Sequence, residues 1–138
     1  MSLVENNSKM TELNLTDNGL GYQSCVVLSQ ALDGGKLPLA SLNLSNNKLG
    51  HRGLHKLLAT LVRNKSLTQV KLRNVGCETE GQMIKDVLFE NDRLLALDLS
   101  WNNLSRANAA CIVAGIVENR TLTSLDLVCN RCCSIMRI

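Results

Sequence analysis

Five short segments recur along this chain at an almost constant interval, and that periodicity limits its fold more than any other feature. They are MTELNLTDNGL from Met10, LASLNLSNNKL from Leu39, LTQVKLRNVGC from Leu67, LLALDLSWNNL from Leu94 and LTSLDLVCNRC from Leu122. Their starting points lie 29, 28, 27 and 28 residues apart. A unit this short cannot enclose a core alone, so the units must stack and share one.

Each segment places apolar side chains at its first, fourth and sixth residues, as in Leu94, Leu97 and Leu99. In SLNLSNN, Leu42 and Leu44 alternate with Ser41, Asn43 and Ser45, the period of two that defines a strand with one buried face. Downstream, HRGLHKLLATLVRN spaces Leu54, Leu57, Leu58 and Leu61 by three and four residues, which predicts a helix with one buried stripe. Corresponding stripes are expected at Val26, Val27, Leu28 and Leu32, at Ile84, Val87 and Leu88, and at Ile112, Val113, Ile116 and Val117. The expected strands lie near 12–16, 41–45, 69–73, 96–100 and 124–128, in one domain over 1–138 of about four and a half repeats. Ser105 is placed to cap a helix, and Pro38 sits in a lengthened surface loop.

Asparagine stands three residues beyond the sixth-position leucine at 18, 47, 102 and 130. Together these spacings resemble the leucine-rich repeat, over nearly the whole sequence, and the period near 28 resembles its ribonuclease-inhibitor-like subclass. The resemblance implies an α/β solenoid with parallel strands on a concave face and helices on a convex one. Helices need about 10 Å of lateral room and strands about 4.8 Å, so such a stack bends into a horseshoe arc. In this family those asparagines hydrogen-bond neighbouring backbone to form a ladder. The third unit has Val75 in that slot and Cys77 where leucine is usual, so the weakest rung is expected there.

Fifteen Lys and Arg against twelve Asp and Glu give a net charge of +3 with the signs interspersed, too mild for a nucleic-acid surface. Apolar content of 45% supports a core, and with only Tyr22, Phe89 and Trp101 aromatic, aliphatic side chains must build it. No apolar run approaches the roughly 20 residues of a membrane helix, and MSLVENNSKM lacks the basic start and hydrophobic run of a signal peptide. A non-secreted protein of the cytoplasm, nucleus, cytoskeleton or cilium is expected. Cys25, Cys77, Cys111, Cys129, Cys132 and Cys133 accordingly read as reduced thiols.

Chemistry-bearing motifs are weak. GLGYQS from Gly19 loosely resembles a dinucleotide loop, but Ser24 holds the third glycine position and no cofactor is expected. His51 and His55 are four apart on a predicted helix, without the intervening glutamate of a zinc protease or a third ligand, so no metal is expected. Cys129 and Cys132 form a lone CxxC in which Cys132 occupies a leucine slot. Asn6, Asn14, Asn43, Asn64, Asn103 and Asn119 begin N-x-S/T triplets, which the repeat consensus itself generates. No catalytic residues are assigned.

At the chain ends, Leu3, Val4, Glu5 and Asn6 mimic the closing turn of the later helices, and RCCSIMRI is too short to supply a fifth helix. A longer solenoid is expected, with Leu125 and Leu127 exposed and favouring self-association.

The concave face is where recognition is expected, because its outward residues vary without disturbing the core. Its columns run Glu12, Ser41, Gln69, Ala96, Ser124; Asn14, Asn43, Lys71, Asp98, Asp126; Thr16, Ser45, Arg73, Ser100, Val128; and Asp17, Asn46, Asn74, Trp101, Cys129. The partner-binding residues expected are Asn43, Lys71, Arg73, Asp98, Ser100, Trp101 and Asp126, with a protein as partner and neither nucleic acid nor membrane. One alternative is a GTPase regulator similar to the Ran GTPase-activating proteins, using Arg73 or Arg106. Another is a scaffold fragment of a larger receptor, cytoskeletal or ciliary protein.

Overall fold

A computed structural model describes residues 9–132. Five strands alternate with four α-helices: β1 (Glu12–Asn14), α1 (Tyr22–Leu32), β2 (Ser41–Asn43), α2 (Gly50–Arg63), β3 (Gln69–Lys71), α3 (Gly81–Glu90), β4 (Ala96–Asp98), α4 (Arg106–Glu118) and β5 (Ser124–Asp126). The strands form one parallel sheet in the order β1-β2-β3-β4-β5. Its register aligns Leu13, Leu42, Val70, Leu97 and Leu125. Each helix closes a coil over this row, giving an α/β solenoid.

Each strand is three residues long, shorter than the sequence period suggests. Backbone pairing nevertheless continues beyond the strands. Leu44 N donates to Lys71 O at 3.0 Å, Leu72 N to Asp98 O at 2.8 Å, and Leu99 N to Asp126 O at 2.9 Å.

The repeat leucines fill the core. Leu39, Leu42, Leu44, Leu67, Leu72, Leu94, Leu97 and Leu99 are all buried, as is the α2 stripe of Leu54, Leu57, Leu58 and Leu61. Burying each such side chain contributes roughly 1.5–3 kcal/mol. In the outer repeats Met10, Leu13, Leu15, Leu122, Leu125 and Leu127 are half-buried against this cluster, so Leu125 and Leu127 are less open than expected. Among the described elements each has a neighbouring coil on one side only.

Two expected helical stripes are corrected. On α1, Leu28 and Leu32 are buried while Val27 points out. On α4, Ile112 is buried with Ala109 and Gly115, whereas Val113, Ile116 and Val117 are exposed. No described helix packs on the far side of α4, so only its α3-facing residues lose contact with water.

The asparagine ladder is present in detail. Asn47 Nδ2 donates to Leu15 O (2.9 Å) and Leu44 O (2.8 Å), and its Oδ1 accepts from Asn18 N (3.0 Å) and Leu20 N (2.9 Å). Asn102 does the same for the third coil, donating to Leu72 O and accepting from Val75 N and Cys77 N. Asn130 donates to Leu99 O and accepts from Leu104 N. Asn47, Asn102 and Asn130 thus each satisfy the turn of the preceding coil, where buried amides need partners, whereas Asn18 in the first coil bonds Thr16 O of its own turn. Val75, fully buried, offers no such amide to the second coil.

A second ladder runs where the helices end. Asn64, Asn91 and Asn119 follow α2, α3 and α4 as C-caps. Their Nδ2 atoms donate to Leu32 O, Leu61 O and Leu88 O of the coil before. Their Oδ1 atoms accept from Leu67 N, Leu94 N and Leu122 N at the next strand. Buried in this role, Asn64 is no glycosylation acceptor whatever triplet surrounds it. Asn6 and the mimic of a closing helix at 3–6 lie outside the described residues, as does Cys133.

Candidate protein-binding face

Strand alternation sends Leu42, Val70 and Leu97 inward and lifts their neighbours onto the concave surface. Lys71, Arg73, Trp101 and Asp126 are exposed there, and Asn43 and Asp98 are half-exposed. Ser100 differs from expectation: it is buried, and its hydroxyl donates to Asp98 Oδ1 at 2.6 Å. The strand has already ended at Asp98, so outward alternation no longer applies, and Ser100 orients Asp98 from behind. Ser45 is buried at the corresponding position of the second coil.

The second column is a set of local caps. The Oδ1 atoms of Asn14, Asn43, Asp98 and Asp126 accept from the backbone N–H of Thr16, Ser45, Ser100 and Val128, at 2.9 to 3.1 Å. Such Asx bonds hold the chain as it leaves the strand. Lys71 breaks the series, since an ammonium accepts no hydrogen bond. Each carboxylate keeps its second oxygen for solvent or a partner.

The fourth column has one backbone conformation. Asp17, Asn46, Asn74, Trp101 and Cys129 have φ of +58°, +56°, +52°, +58° and +59°. Left-handed geometry suits Asn and Asp but disfavours other L-residues by about 1–2 kcal/mol. Trp101 adopts it while leaving 52% of its surface exposed, and the Arg73 guanidinium lies 5.1 Å from its ring centroid. This cation–π pair joins β3 to β4 at the rim of the sheet. Arg106 is instead the first residue of α4, so the two arginines considered for GTPase regulation belong to a strand exit and a helix start.

Sequence reasoning missed Glu80. Its carboxylate is buried, with Oε2 accepting from Glu78 N (2.8 Å) and Thr79 N (2.9 Å) and Oε1 2.7 Å from His51 Nδ1. Burial pushes its pKa up, but the His51 contact, the Thr79 and Glu78 amides and the Cys77 thiol outweigh that and hold it below the ordinary value. His51 is therefore tied across the second and third coils, while His55 lies 6.2 Å away ring to ring. No group of three metal-ligating side chains is present among the described residues.

Among the described residues, two buried thiols are held in the protonated form. Burial pushes the Cys25 thiol up to about 11, and burial with the Glu80 charge raises Cys77 further. Both stay protonated and inert at neutral pH. Cys129 is exposed and Cys132 buried, and Cys25, Cys77, Cys111 and Cys129 are free thiols. In GLGYQS, Gly19 turns the chain at φ +63° and Gly21 precedes the first helical residue. No helix among the described residues is long and apolar enough to cross a membrane.

Comparison with known proteins agrees with this architecture. A family profile described as "Leucine Rich repeat" matches residues 6–29, 38–58 and 118–131. The chain is 29% identical over 119 residues to NLR family member X1 of Rattus norvegicus, covering 86% of this chain and 12% of that protein. It is 30% identical over 123 residues to human NACHT, LRR and PYD domains-containing protein 14, covering 88% of this chain and 11% of that protein. A 114-residue alignment at 31% identity with the short-chain dehydrogenase/reductase prx1 of Penicillium rubens covers 82% of this chain and 32% of that protein. Among solved structures, leiomodin-1 actin-binding site 2 superposes with a TM-score of 0.76 at 21% identity, covering 90% of this chain and 73% of that one. The chain carries leucine-rich repeats. It spans about an eighth of the length of the first of these relatives.

Proposed function

We propose that this chain is a non-enzymatic recognition module that binds a protein partner on its concave sheet, through Lys71, Arg73, Asp98, Trp101 and Asp126, with Asn43 on the flank. The observation that carries this is Trp101. A large aromatic held in a strained backbone geometry, exposed and stacked with Arg73, costs stability that asparagine at the same position would spare. Tryptophan and arginine are also the side chains that dominate binding hot spots. A repeat scaffold that leaves its sheet face open supports the same reading, and the inert thiols argue against catalysis. A non-secreted, intracellular setting is consistent with the free cysteines.

Affinity capture with the immobilised chain, compared with Trp101→Ala and Arg73→Glu variants matched for fold by circular dichroism, tests the proposal. Proteins retained by the parent and lost from both variants are the expected result. An unchanged captured set from both variants removes this face from consideration.

A further inference from the structure

The concave face carries an ordered row of charge. Lys71, Asp98 and Asp126 are direct register partners across β3, β4 and β5, so they follow one another at about 4.8 Å intervals. Asp98 and Asp126 stand side by side, an arrangement that is unfavourable for like charges. No ion pair among the described residues neutralises either of them. Both are fixed by their Asx bonds to Ser100 N and Val128 N, so their remaining oxygens are presented in set positions. Ala96 is the smallest side chain of the first column, and beside it a hollow opens, lined by Gln69, Lys71, Ala96, Asp98, Ser124 and Asp126.

We infer that this hollow receives an extended segment of a protein partner, laid across the strands, in which an acidic and a basic residue are separated by one residue. The spacing follows from the geometry. A cation bridging Asp98 and Asp126 sits about 7 Å from Lys71, one and a half strand spacings. In an extended chain, side chains two residues apart face the same way and lie about 7 Å apart. An acid over Lys71 therefore places a base two residues away between the two aspartates. Residues three apart face opposite sides and cannot engage both. The inference rests on the concave-face reading above and specifies the chemistry of its partner.

Fluorescence anisotropy with labelled twelve-residue peptides, otherwise Gly/Ser, provides the test. The central motifs compared are Glu-x-Arg, Glu-x-x-Arg and Gln-x-Gln. We expect Glu-x-Arg to bind at least tenfold more tightly than the other two, and the preference to vanish in the Asp98→Asn, Asp126→Asn double variant. Lys71→Glu, which makes the row wholly acidic, is expected to switch preference to an Arg-x-Arg peptide. Equal binding of the three motifs, no binding of any, or retention of the Glu-x-Arg preference in Lys71→Glu each overturns the inference. If the captured proteins still depend on Trp101 and Arg73, only the charge-spacing inference falls; if they depend on neither, the concave-face reading falls with it.

Discussion

His51 on α2 holds its Nδ1 2.7 Å from Oε1 of Glu80, the residue that immediately precedes α3. This contact crosses from the second coil to the third, the junction where Val75 interrupts the asparagine ladder. Glu80 also fastens the amides of Glu78 and Thr79, so a buried carboxylate does at this joint part of what a side-chain amide does at the others. Removing it takes the acceptor from the Glu78 and Thr79 N–H groups. Glu80→Ala is expected to cost about 2–4 kcal/mol, measured by urea unfolding followed by circular dichroism. A loss below about 0.5 kcal/mol contradicts the bridging role.

The same residue sets a pH dependence. Its folded pKa is depressed below the ordinary 4.5, so the stabilisation is complete above that value and is lost as pH falls through the folded pKa. Stability measured from pH 6 down to pH 3 is expected to fall more steeply in the parent than in Glu80→Gln. Parallel curves rule out Glu80 as the source.

Ladder residues are expected to be far more sensitive than their polarity suggests. Asn47→Ala and Asn91→Ala each remove a side chain that satisfies amides and carbonyls of two coils, at about 2–4 kcal/mol apiece. Asn18, which is exposed and whose side chain donates to Thr16 O within its own coil, is the control, with a cost below about 1 kcal/mol. Equal sensitivity at all three positions contradicts the ladder account.

The left-handed column gives a prediction of opposite sign. Cys129→Asn places a tolerant residue at φ +59° on an exposed site and is expected to raise stability by about 1 kcal/mol. Trp101→Asn relieves the same strain but forfeits the Arg73 stack, so its gain is smaller and accompanied by weaker partner binding. Thermal unfolding of the two variants side by side distinguishes strain from packing. A Trp101→Asn gain equal to that of Cys129→Asn shows that the Arg73 stack adds nothing to stability.

Much of this was legible because a period encodes a face. Leu42, Leu44, Leu54 and Leu57 repeat at strand or helix spacing, and all four are buried. Val113, Ile116 and Val117 carry the same apolar signature, but burial needs a neighbour, and periodicity does not say whether one is packed there. Ser100 was misplaced because alternation stops where the strand does, two residues earlier. Glu80 and Glu78 are indistinguishable in NVGCETEGQ, and only the third dimension buries one of them. The second ladder was open to discovery, since Asn64, Asn91 and Asn119 recur at intervals of 27 and 28. Of the site, the columns were readable from sequence, whereas the Arg73–Trp101 stack and the Asx bonds depend on rotamers and backbone angles that residue types leave open.

Helices α3 and α4 leave no room for a side chain at Gly81. A Cβ added at Gly81 would lie 2.6 Å from Asn108 Oδ1 and 2.7 Å from Asn108 Cα, inside any real contact. Asn108 in turn donates to Glu78 O and accepts from Gly81 N, so it cannot withdraw without breaking both bonds. At Gly115 the added atom would meet Leu88 Cβ at 3.0 Å and the Lys85 backbone at 3.1 Å, a tighter fit than usual but one that a shift of a few tenths of an ångström relieves. Gly81→Ala is therefore expected to cost about 2–3 kcal/mol and Gly115→Ala less, its clash being partly offset by alanine's higher helix propensity. Hydrogen exchange gives the spatial reading. Protection is expected to fall across α3 and α4 in Gly81→Ala while β1, β2 and α1 keep theirs, because contacts in a solenoid reach only the neighbouring coils. A uniform loss over the whole chain means instead that the coils unfold as one unit.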